Sequence, residues 1–561
     1  FLYRLCSSLN PVQIGYCLIY LFQMRVVLVL AFLCCISPAC ASRILCISIF
    51  PCANPILGDF KPFARVATEL AQRGHEIEFV LFEDYVDWPE KLPNIHTRSA
   101  GKCPMSKMEE EEFFKAFSDK SYTDTIPTIV QYFQKYSIAL SKHIWNDKQA
   151  IEQDLGGPID VLFFGDVFML GPELADRFEA PFVVFHPGGI FDGELNSVAG
   201  ISVHPAQVTT AFLDSDSATG IKLVDRIVNH FLSYFIDYQI AKSTIEFENN
   251  FRKEMGLHLI PENNNYLTSS PHYANKHSNL YPIAKIVGNS PGFAPAVEVP
   301  PFVHYVGPVI PEPVPLAEVS RRKYPDVDDL IAWMDNDDRP IILMSFSTVA
   351  HFSPSGMDAI ISSLSSMKSS VRVLWVVREA ARHSLPSNFL VPDNFLLVRF
   401  IPQFEVLGHE KVRLFFSVGG INSVLESIIQ QTPILCCGSH FEQNFNCDRV
   451  QSLGIGARLN KDNLNANSIR EHAQFLLHNP EAYSDTLKEL KTLFLSSNGT
   501  TRAADIMEQS IRIGSNKFLL PQTVHSSMLE KTSLDIIFVF VVLTLLVIRI
   551  IKITLRCVVK S

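Results

Sequence analysis

The residues best suited to chemistry lie in one short stretch, where an apolar run is followed by two glycines and a helical segment that begins near Ile421. Gly419 and Gly420 allow the backbone to approach a ligand closely. The free N–H groups and the positive dipole end of the helix favour an anion such as phosphate. Glu426 lies about one turn into the helix, where its carboxylate can accept hydrogen bonds from ribose hydroxyls. The stretch therefore predicts a binding site for a phosphate-bearing ligand.

The elements on either side would position this glycine corner. Leu414 to Ser417 is a short apolar strand without polar alternation, as expected for a parallel sheet that is covered on both faces. A second apolar run follows around Pro433 to Leu435. Glu442 and Gln443 then open another helix, at the carboxyl end of the strands where ligands bind in such sheets. This order predicts a strand–helix–strand unit with polar residues at its joints.

The polar residues of the stretch also keep a specific order, from Phe400-Ile-Pro402-Gln403 through the glycine corner to Glu442-Gln443. Order and spacing resemble the donor-binding signature of the UDP-glycosyltransferases, the family that includes the UDP-glucuronosyltransferases. The resemblance implies that Phe400 stacks on uracil and that Gln403 hydrogen-bonds to it. It implies further contacts with the diphosphate from Gly419, Gly420 and Asn422, with the ribose from Glu426, and with the sugar hydroxyls from Glu442 and Gln443.

Several positions near the expected reaction centre depart from the family pattern. Val418 stands where the family has a histidine that contacts a phosphate, and valine has no hydrogen-bond donor. Ser347 replaces a glycine that lets the diphosphate approach, whereas Thr348 keeps the hydroxyl of its position. Val376 stands where an arginine often follows the tryptophan. The departures cluster while the scaffold residues are kept, which favours a second hypothesis of impaired catalysis.

Inverting sugar transfer requires a base for the acceptor hydroxyl, usually a histidine that is oriented by a carboxylate. The family pattern places that histidine where Asp59 stands, and its assisting aspartate at Asp166, after a predicted strand. If the two carboxylates met, like charge would favour a proton on one of them and prepare it to act as the base. Asp59 would also suit the cap of a helix that starts at Phe60. His186 is either a substitute base or an ordinary loop histidine.

Two parallel α/β domains are predicted, separated by a proline-rich segment at 295–315. The resemblance implies a GT-B-like fold, in which two doubly wound Rossmann-type domains face a cleft. Residues 42–300 would bind the acceptor and residues 301–515 the UDP-sugar. The clearest amino-terminal helix is Phe60 to Arg73, which carries an apolar stripe and ends at Gly74.

The two ends of the chain predict a protein that enters the secretory pathway and stays anchored in a membrane. Residues 1–23 look like a spurious leader, and residues 24–41 have the basic start, apolar core and small-x-small end of a signal peptide. Residues 534–551 would form a transmembrane helix, and the basic residues of the tail, 552–561, predict a cytosolic end. This single-pass type I topology makes Asn498, in Asn-Gly-Thr, a glycosylation acceptor. The resemblance implies the endoplasmic reticulum membrane.

Composition excludes several classes of partner. The chain has 561 residues, 47% of them apolar, and a net charge of −10 without a basic stripe, which argues against nucleic-acid binding. No metal site is expected from cysteine and histidine spacing. The cysteines outside the predicted signal and tail are too few for a disulfide scaffold, and one or two bridges with open pairing are expected among Cys46, Cys52, Cys103, Cys436, Cys437 and Cys447.

The resemblance thus implies a UDP-glycosyltransferase that moves glucuronic acid or a hexose from a UDP-sugar to a small lipophilic hydroxyl acceptor, with inversion. The UDP-sugar is a co-substrate, and no further cofactor is implied. The alternative is a catalytically impaired relative that binds UDP or a lipophile, or that modulates an active partner in a homo- or hetero-oligomer.

Overall fold

The computed structural model describes residues 41–49, 57–86, 89, 91–106, 108–110, 122–166, 168–188, 246–259, 282–294, 299–346, 352–377, 389–439, 441–519 and 534–560. The leader predicted for residues 1–23, nearly all of the signal peptide predicted for residues 24–41, and Thr348 lie outside these residues.

The amino-terminal half is built on a sheet of parallel strands. Its strands are β1 (Arg43–Ile47), β2 (Glu76–Leu81), β3 (Ile95–Ser99), β4 (Val161–Gly165), β5 (Phe182–His186), β6 (Ala284–Val287) and β7 (Val303–Tyr305). They lie in the order β3-β2-β1-β4-β5-β6-β7. Among the described residues, the helices of this half include α1 (Leu57–Gln72), α2 (Tyr122–Asn146), α3 (Lys148–Asp154) and α4 (Gly171–Phe178). Strand β4, and strand β1 after Arg43, are apolar because helices cover both faces of the sheet, and their buried residues belong to the first core.

Helix α1 confirms the predicted apolar stripe but not its predicted start. Phe63, Val66 and Leu70 are all buried in the first core, and Gly74 ends the turn after the helix with a φ of +95°. The helix begins at Leu57. Asp59 therefore lies within its first turn, and the capping position predicted from a start at Phe60 is wrong, because a cap must precede the helical residues.

The carboxy-terminal half repeats the architecture. Its strands are β8 (Ile341–Ser345), β9 (Arg372–Val376), β10 (Phe395–Val398), β11 (Val412–Ser417), β12 (Ile434–Cys436) and β13 (Gly456–Arg458). They are parallel, in the order β10-β9-β8-β11-β12-β13. The helices are α5 (Val327–Asp335), α6 (Pro354–Ser366), α7 (Gln403–Leu407), α8 (Ile421–Gln430), α9 (Phe441–Ser452), α10 (Ala466–His478) and α11 (Ser484–Ser496). The two doubly wound sheets confirm the predicted fold class.

Two segments beyond residue 300 nevertheless belong to the first half. Strand β7 pairs with β6 and completes the first sheet. Helix α12 (Gly499–Ile513) packs Ala503, Ala504 and Met507 into the first core, and Arg73 of the turn after α1 reaches Asp505 at 2.7 Å. The boundary that the sequence placed after residue 300 therefore lies too early, since it cuts off the last strand of the first sheet. That strand, Val-His-Tyr, is too short and too mixed in polarity to be predicted from its pattern.

The last described helix is α13 (Leu534–Lys560). It contains a span of 22 residues, Asp535–Arg556, with a mean hydropathy of 2.9 and no part of it buried in the protein. About 20 apolar residues are needed to cross a bilayer, so the predicted C-terminal helix is long and apolar enough to do so. It runs on through most of the predicted tail, 552–561.

Candidate functional site

The two glycines of the corner between β11 and α8 have different roles. Gly419 has a φ of +81°, and a Cβ atom on it would lie 2.7 Å from Sγ of Cys436 and 2.8 Å from Sγ of Cys447. Gly420 has a φ of −59°, and a Cβ atom on it would meet nothing within 4 Å. Gly419 is therefore required by the fold, whereas Gly420 faces open space where a ligand can approach.

A disulfide lies directly behind this corner. Cys436, the last residue of β12, is bonded to Cys447 in α9. Asn446, its neighbour, donates through Nδ2 to the carbonyl oxygen of Gly419 at 2.8 Å. The bridge settles a pairing that spacing alone left open, and it ties the second strand and helix of the motif to the glycine turn. Cys103 is also disulfide-bonded, and Cys46 and Cys437 are free and buried.

The structure brings Gln403 and Glu426 into direct contact. Gln403 Nε2 donates to Glu426 Oε2 at 2.7 Å and to Oγ of Ser423 at 3.1 Å. Ser423, one turn before Glu426 on α8, was missed by the sequence reasoning although its spacing places it on the same face. The amide of Gln403, the carboxylate of Glu426 and the hydroxyl of Ser423 form a polar surface at one edge of the corner, which suits a hydroxyl-rich ligand.

Charges from the other half of the protein act on this cluster. Burial raises the pKa of Glu426, and the positive charges of Lys61 and Arg65 and the hydrogen bond from Gln403 oppose that rise. Lys61 and Arg65 both belong to α1 of the first half. The carboxylate of the second half therefore lies within electrostatic reach of two basic side chains of the first half.

Phe400 is the most exposed ring near the cluster, with 44% of its surface accessible. The ring of Tyr324 stacks on it, with ring centroids 5.3 Å apart and planes inclined by 16°. Burial and the charges of Glu405 and Glu426 raise the pKa of Tyr324 to about 12, so its hydroxyl stays protonated at neutral pH. The exposed part of Phe400 can take an aromatic base, with Tyr324 supporting the ring from one side.

Glu442 and Gln443 are more deeply engaged in the scaffold than the resemblance implied. Oε1 of Glu442 accepts hydrogen bonds from the backbone N–H of Ile421 at 3.2 Å and from Asn446 at 2.8 Å. Gln443 is buried, and its Oε1 accepts from Oγ of Ser439 at 2.6 Å. Glu442 thus satisfies an N–H group at the start of α8 and complements its dipole. Their contact with a sugar remains a prediction.

The remaining predicted site residues fall at the same end of the two sheets. Asn422 lies in the first turn of α8, two residues after Gly420. Val418 is buried, so an apolar side chain fills the position of the family histidine. Asp166 follows β4 at its carboxyl end, and its Oδ2 lies 3.4 Å from Nδ1 of His186, the last residue of β5. The side chain of Asp59 lies outside the described residues.

Known proteins share both the sequence and this architecture. Residues 60–256 and 303–561 match the profile of the family described as UDP-glucoronosyl and UDP-glucosyl transferase. An NDP-glycosyltransferase of Bacillus subtilis, YjiC, is 30% identical over 31% of this chain and 43% of its own length. UDP-glucuronosyltransferase 3A1 of Xenopus laevis is 24% identical over 43% of this chain and 44% of its own. The chain thus spans less than half the length of either relative.

Solved structures agree on the fold. A UDP-glucosyltransferase of Polygonum tinctorium superposes with a TM-score of 0.56 and 17% identity, over 84% of this chain and 99% of that one. CalG4, the calicheamicin glycosyltransferase, gives a TM-score of 0.51 with 20% identity over the same shares. The family profile covers most of the chain, and the two parallel sheets agree with the fold of these solved structures. The chain therefore belongs to the UDP-glucuronosyl and UDP-glucosyl transferase family and has its GT-B fold.

Proposed function

We propose that this protein is a membrane-anchored, inverting UDP-glycosyltransferase that transfers glucuronic acid or a hexose to a small lipophilic hydroxyl acceptor. The observation that carries the proposal is the open face of Gly420 beside the Gln403–Glu426 pair. A diphosphate at Gly420 would meet the start of α8, with the N–H groups and dipole that favour an anion. The ribose would then reach Glu426, and the uracil would reach Phe400.

The proposed chemistry needs only this chain's residues and the two substrates. Asp166, with Asp59 as its candidate partner, takes the proton from the acceptor hydroxyl. The hydroxyl oxygen then attacks the anomeric carbon from the face opposite the diphosphate, and the bond between that carbon and the diphosphate oxygen breaks. The negative charge that develops on the leaving UDP is stabilised at the start of α8. Thr348 is the remaining predicted donor to the diphosphate.

The cellular site of the reaction is also a proposal. The apolar helix α13 supports membrane attachment, and the disulfide between Cys436 and Cys447 supports an oxidising compartment. Asn498 is exposed at the turn before α12, where an oligosaccharide would find room. We place the body in the lumen of the endoplasmic reticulum, with a type I topology and a cytosolic tail.

One observation favours a second function. Val418 is buried and brings no donor to the diphosphate, so the leaving group has lost a contact that the family pattern provides. A relative with intact donor binding and poor turnover would bind UDP or a lipophile, or modulate an active partner in an oligomer.

A turnover assay on membranes separates the two functions. UDP-glucuronic acid, UDP-glucose, UDP-galactose and UDP-N-acetylglucosamine are each tested against a panel of phenols and lipophilic alcohols, with UDP affinity measured in parallel. Turnover that falls about 100-fold or more in Asp166→Asn, at unchanged UDP affinity, supports the enzyme. UDP binding without turnover of any sugar, and turnover gained in Val418→His, would support the impaired relative. Absence of UDP binding would overturn the enzyme and the UDP-binding form of the second function.

A further inference from the structure

A buried histidine lies beside the carboxylate that the proposed reaction uses as its base. Nδ1 of His186 and Oδ2 of Asp166 are 3.4 Å apart. The two atoms lie at ion-pair distance, and their present geometry does not form a hydrogen bond. Catalytic hydrogen bonds are often poorly aligned before a substrate binds and tighten in the complex. The two residues are brought together because β4 and β5 are adjacent parallel strands and both side chains leave the carboxyl ends of their strands.

The exposures of the two side chains decide which of them can meet the acceptor. The side chain of Asp166 is 21% exposed, whereas that of His186 is 2% exposed. A general base must come within hydrogen-bond distance of the proton it takes. The carboxylate is therefore the group that solvent and an acceptor can reach, and the imidazole lies buried behind it. This is the reverse of the usual arrangement, in which a histidine base is reached by the substrate and an aspartate orients it.

The loop that follows His186 is fixed against the donor corner. The backbone N–H of Gly288 donates to the carbonyl oxygen of His186 at 2.7 Å, and Nδ2 of Asn289 donates to the carbonyl oxygen of Gly188 at 2.5 Å. A Cβ atom on Gly188 would lie 2.6 Å from Cγ2 of Ile421, the first residue of α8. Gly188, which contacts the first residue of α8, is thus only two residues along the chain from His186.

We propose that His186 is the positioning residue for the catalytic carboxylate: its Nδ1–H holds Asp166 toward the cleft, so that Asp166 and not a histidine takes the acceptor proton. This inference rests on the proposed function, because the base has a role only if sugar is transferred. A neutral imidazole with the proton on Nδ1 donates to the carboxylate and orients it. The buried back position keeps the ring away from solvent and from the acceptor.

The test compares His186→Ala with His186→Asn in the full-length protein, beside Asp166→Asn. An asparagine side chain can place its Nδ2–H where the Nδ1–H of the histidine lies, but it cannot act as a base. We expect kcat to fall about 10- to 100-fold in His186→Ala, the cost of a carboxylate misplaced by the order of 1 Å. We expect His186→Asn to recover most of that loss, with UDP affinity and donor KM unchanged in both variants.

Two results would overturn the proposal. Equal loss in His186→Asn and His186→Ala would mean that the imidazole itself carries the proton, and full activity of His186→Ala would mean that the residue plays no part. A structural defect alone would lower the unfolding temperature and UDP affinity together, which the unchanged donor KM excludes.

A second readout does not depend on turnover. Nitrogen-15 NMR of labelled histidine in the UDP-bound protein reports which ring nitrogen of His186 carries the proton. We expect the Nδ1–H tautomer in the unmodified protein and a change of that signal in Asp166→Ala, which removes the acceptor. If no sugar is transferred but this signature is present, the proposed function fails and the contact stands; if the tautomer does not respond to Asp166→Ala, the positioning role fails whatever the turnover.

Discussion

The two glycines of the donor corner predict opposite effects of the same substitution. A methyl group at Gly419 would lie within 2.8 Å of both disulfide sulfurs and 3.0 Å from the carbonyl oxygen of Gln443. A methyl group at Gly420 would meet no protein atom within 4 Å. We therefore expect Gly419→Ala to damage the fold and Gly420→Ala to damage only ligand binding.

The expected magnitudes follow from the backbone and from packing. Gly419→Ala places a side chain in the left-handed region, which costs about 1–2 kcal/mol, and overpacks its surroundings, which costs about 1–3 kcal/mol. Its free energy of unfolding should fall by the sum, about 2–5 kcal/mol. Gly420 has a φ of −59°, which alanine adopts readily, so Gly420→Ala should gain about 0.4–1 kcal/mol from the lower entropy of the unfolded chain.

Gly420→Ala, which should leave the fold intact, should weaken UDP binding. A methyl group there would occupy the space that we assign to the diphosphate, and we expect the Kd for UDP to rise at least about tenfold, or about 1.4 kcal/mol. Denaturant unfolding and UDP calorimetry on the two purified variants measure both effects. Unchanged UDP affinity in Gly420→Ala would refute the placement of the diphosphate.

A double-mutant cycle sharpens the same test. If the sulfurs cause the clash at Gly419, replacing Cys436 and Cys447 together by alanine should remove part of the cost of Gly419→Ala. Equal cost of Gly419→Ala with and without the disulfide would show that backbone conformation alone requires glycine at this position.

Four further variants have expected outcomes. Glu426→Gln should weaken UDP binding by about 1.5–3 kcal/mol, since a hydrogen bond to a charged group is lost. Because burial raises the pKa of Glu426, the UDP affinity of the unmodified protein should fall on the acidic side of neutrality, and calorimetry of Glu426→Gln should show no such pH dependence. The same raised pKa means that the ionised side chain costs folding free energy at neutral pH, so Glu426→Gln should raise the unfolding temperature of the unliganded protein. Phe400→Ala should weaken UDP binding by about 1–3 kcal/mol through lost stacking, with unchanged affinity for the acceptor. Replacing Cys436 and Cys447 by serine should lower unfolding stability by about 3 kcal/mol, the entropy of a loop with a sequence separation of 11. Deleting α13 should move the protein from the membrane fraction to the soluble fraction on ultracentrifugation.

The local sequence was sufficient for the parts of this protein that depend on short-range pattern. Buried strands such as β11 and the apolar stripe of α1 follow from periodicity, because each element must bury a face. The order of Gln403, Gly420 and Glu426 indicated one site, because strand–helix–strand units bring their carboxyl ends together. Strands β3, β6, β7 and β13 were not predicted. β7 and β13 are as short as β12, but they mix polar with apolar residues and so lack the continuous apolar run that indicated β12.

Tertiary structure alone decided the distinctions within the site. Both corner glycines look equivalent in sequence, yet only the fold puts the Cys436–Cys447 bridge behind Gly419 and open space before Gly420. The support of Phe400 by Tyr324 joins residues that are far apart in the chain.

The same limit applies to the catalytic end of the first half. The sequence by itself determined that a carboxylate follows β4 and that a histidine ends β5. Which of Asp166 and His186 faces the cleft depends on how neighbouring strands and the loop at Gly188 pack against the second domain, a contact across more than two hundred residues of chain. Burial is a property of that packing, and no local pattern of residue types records it.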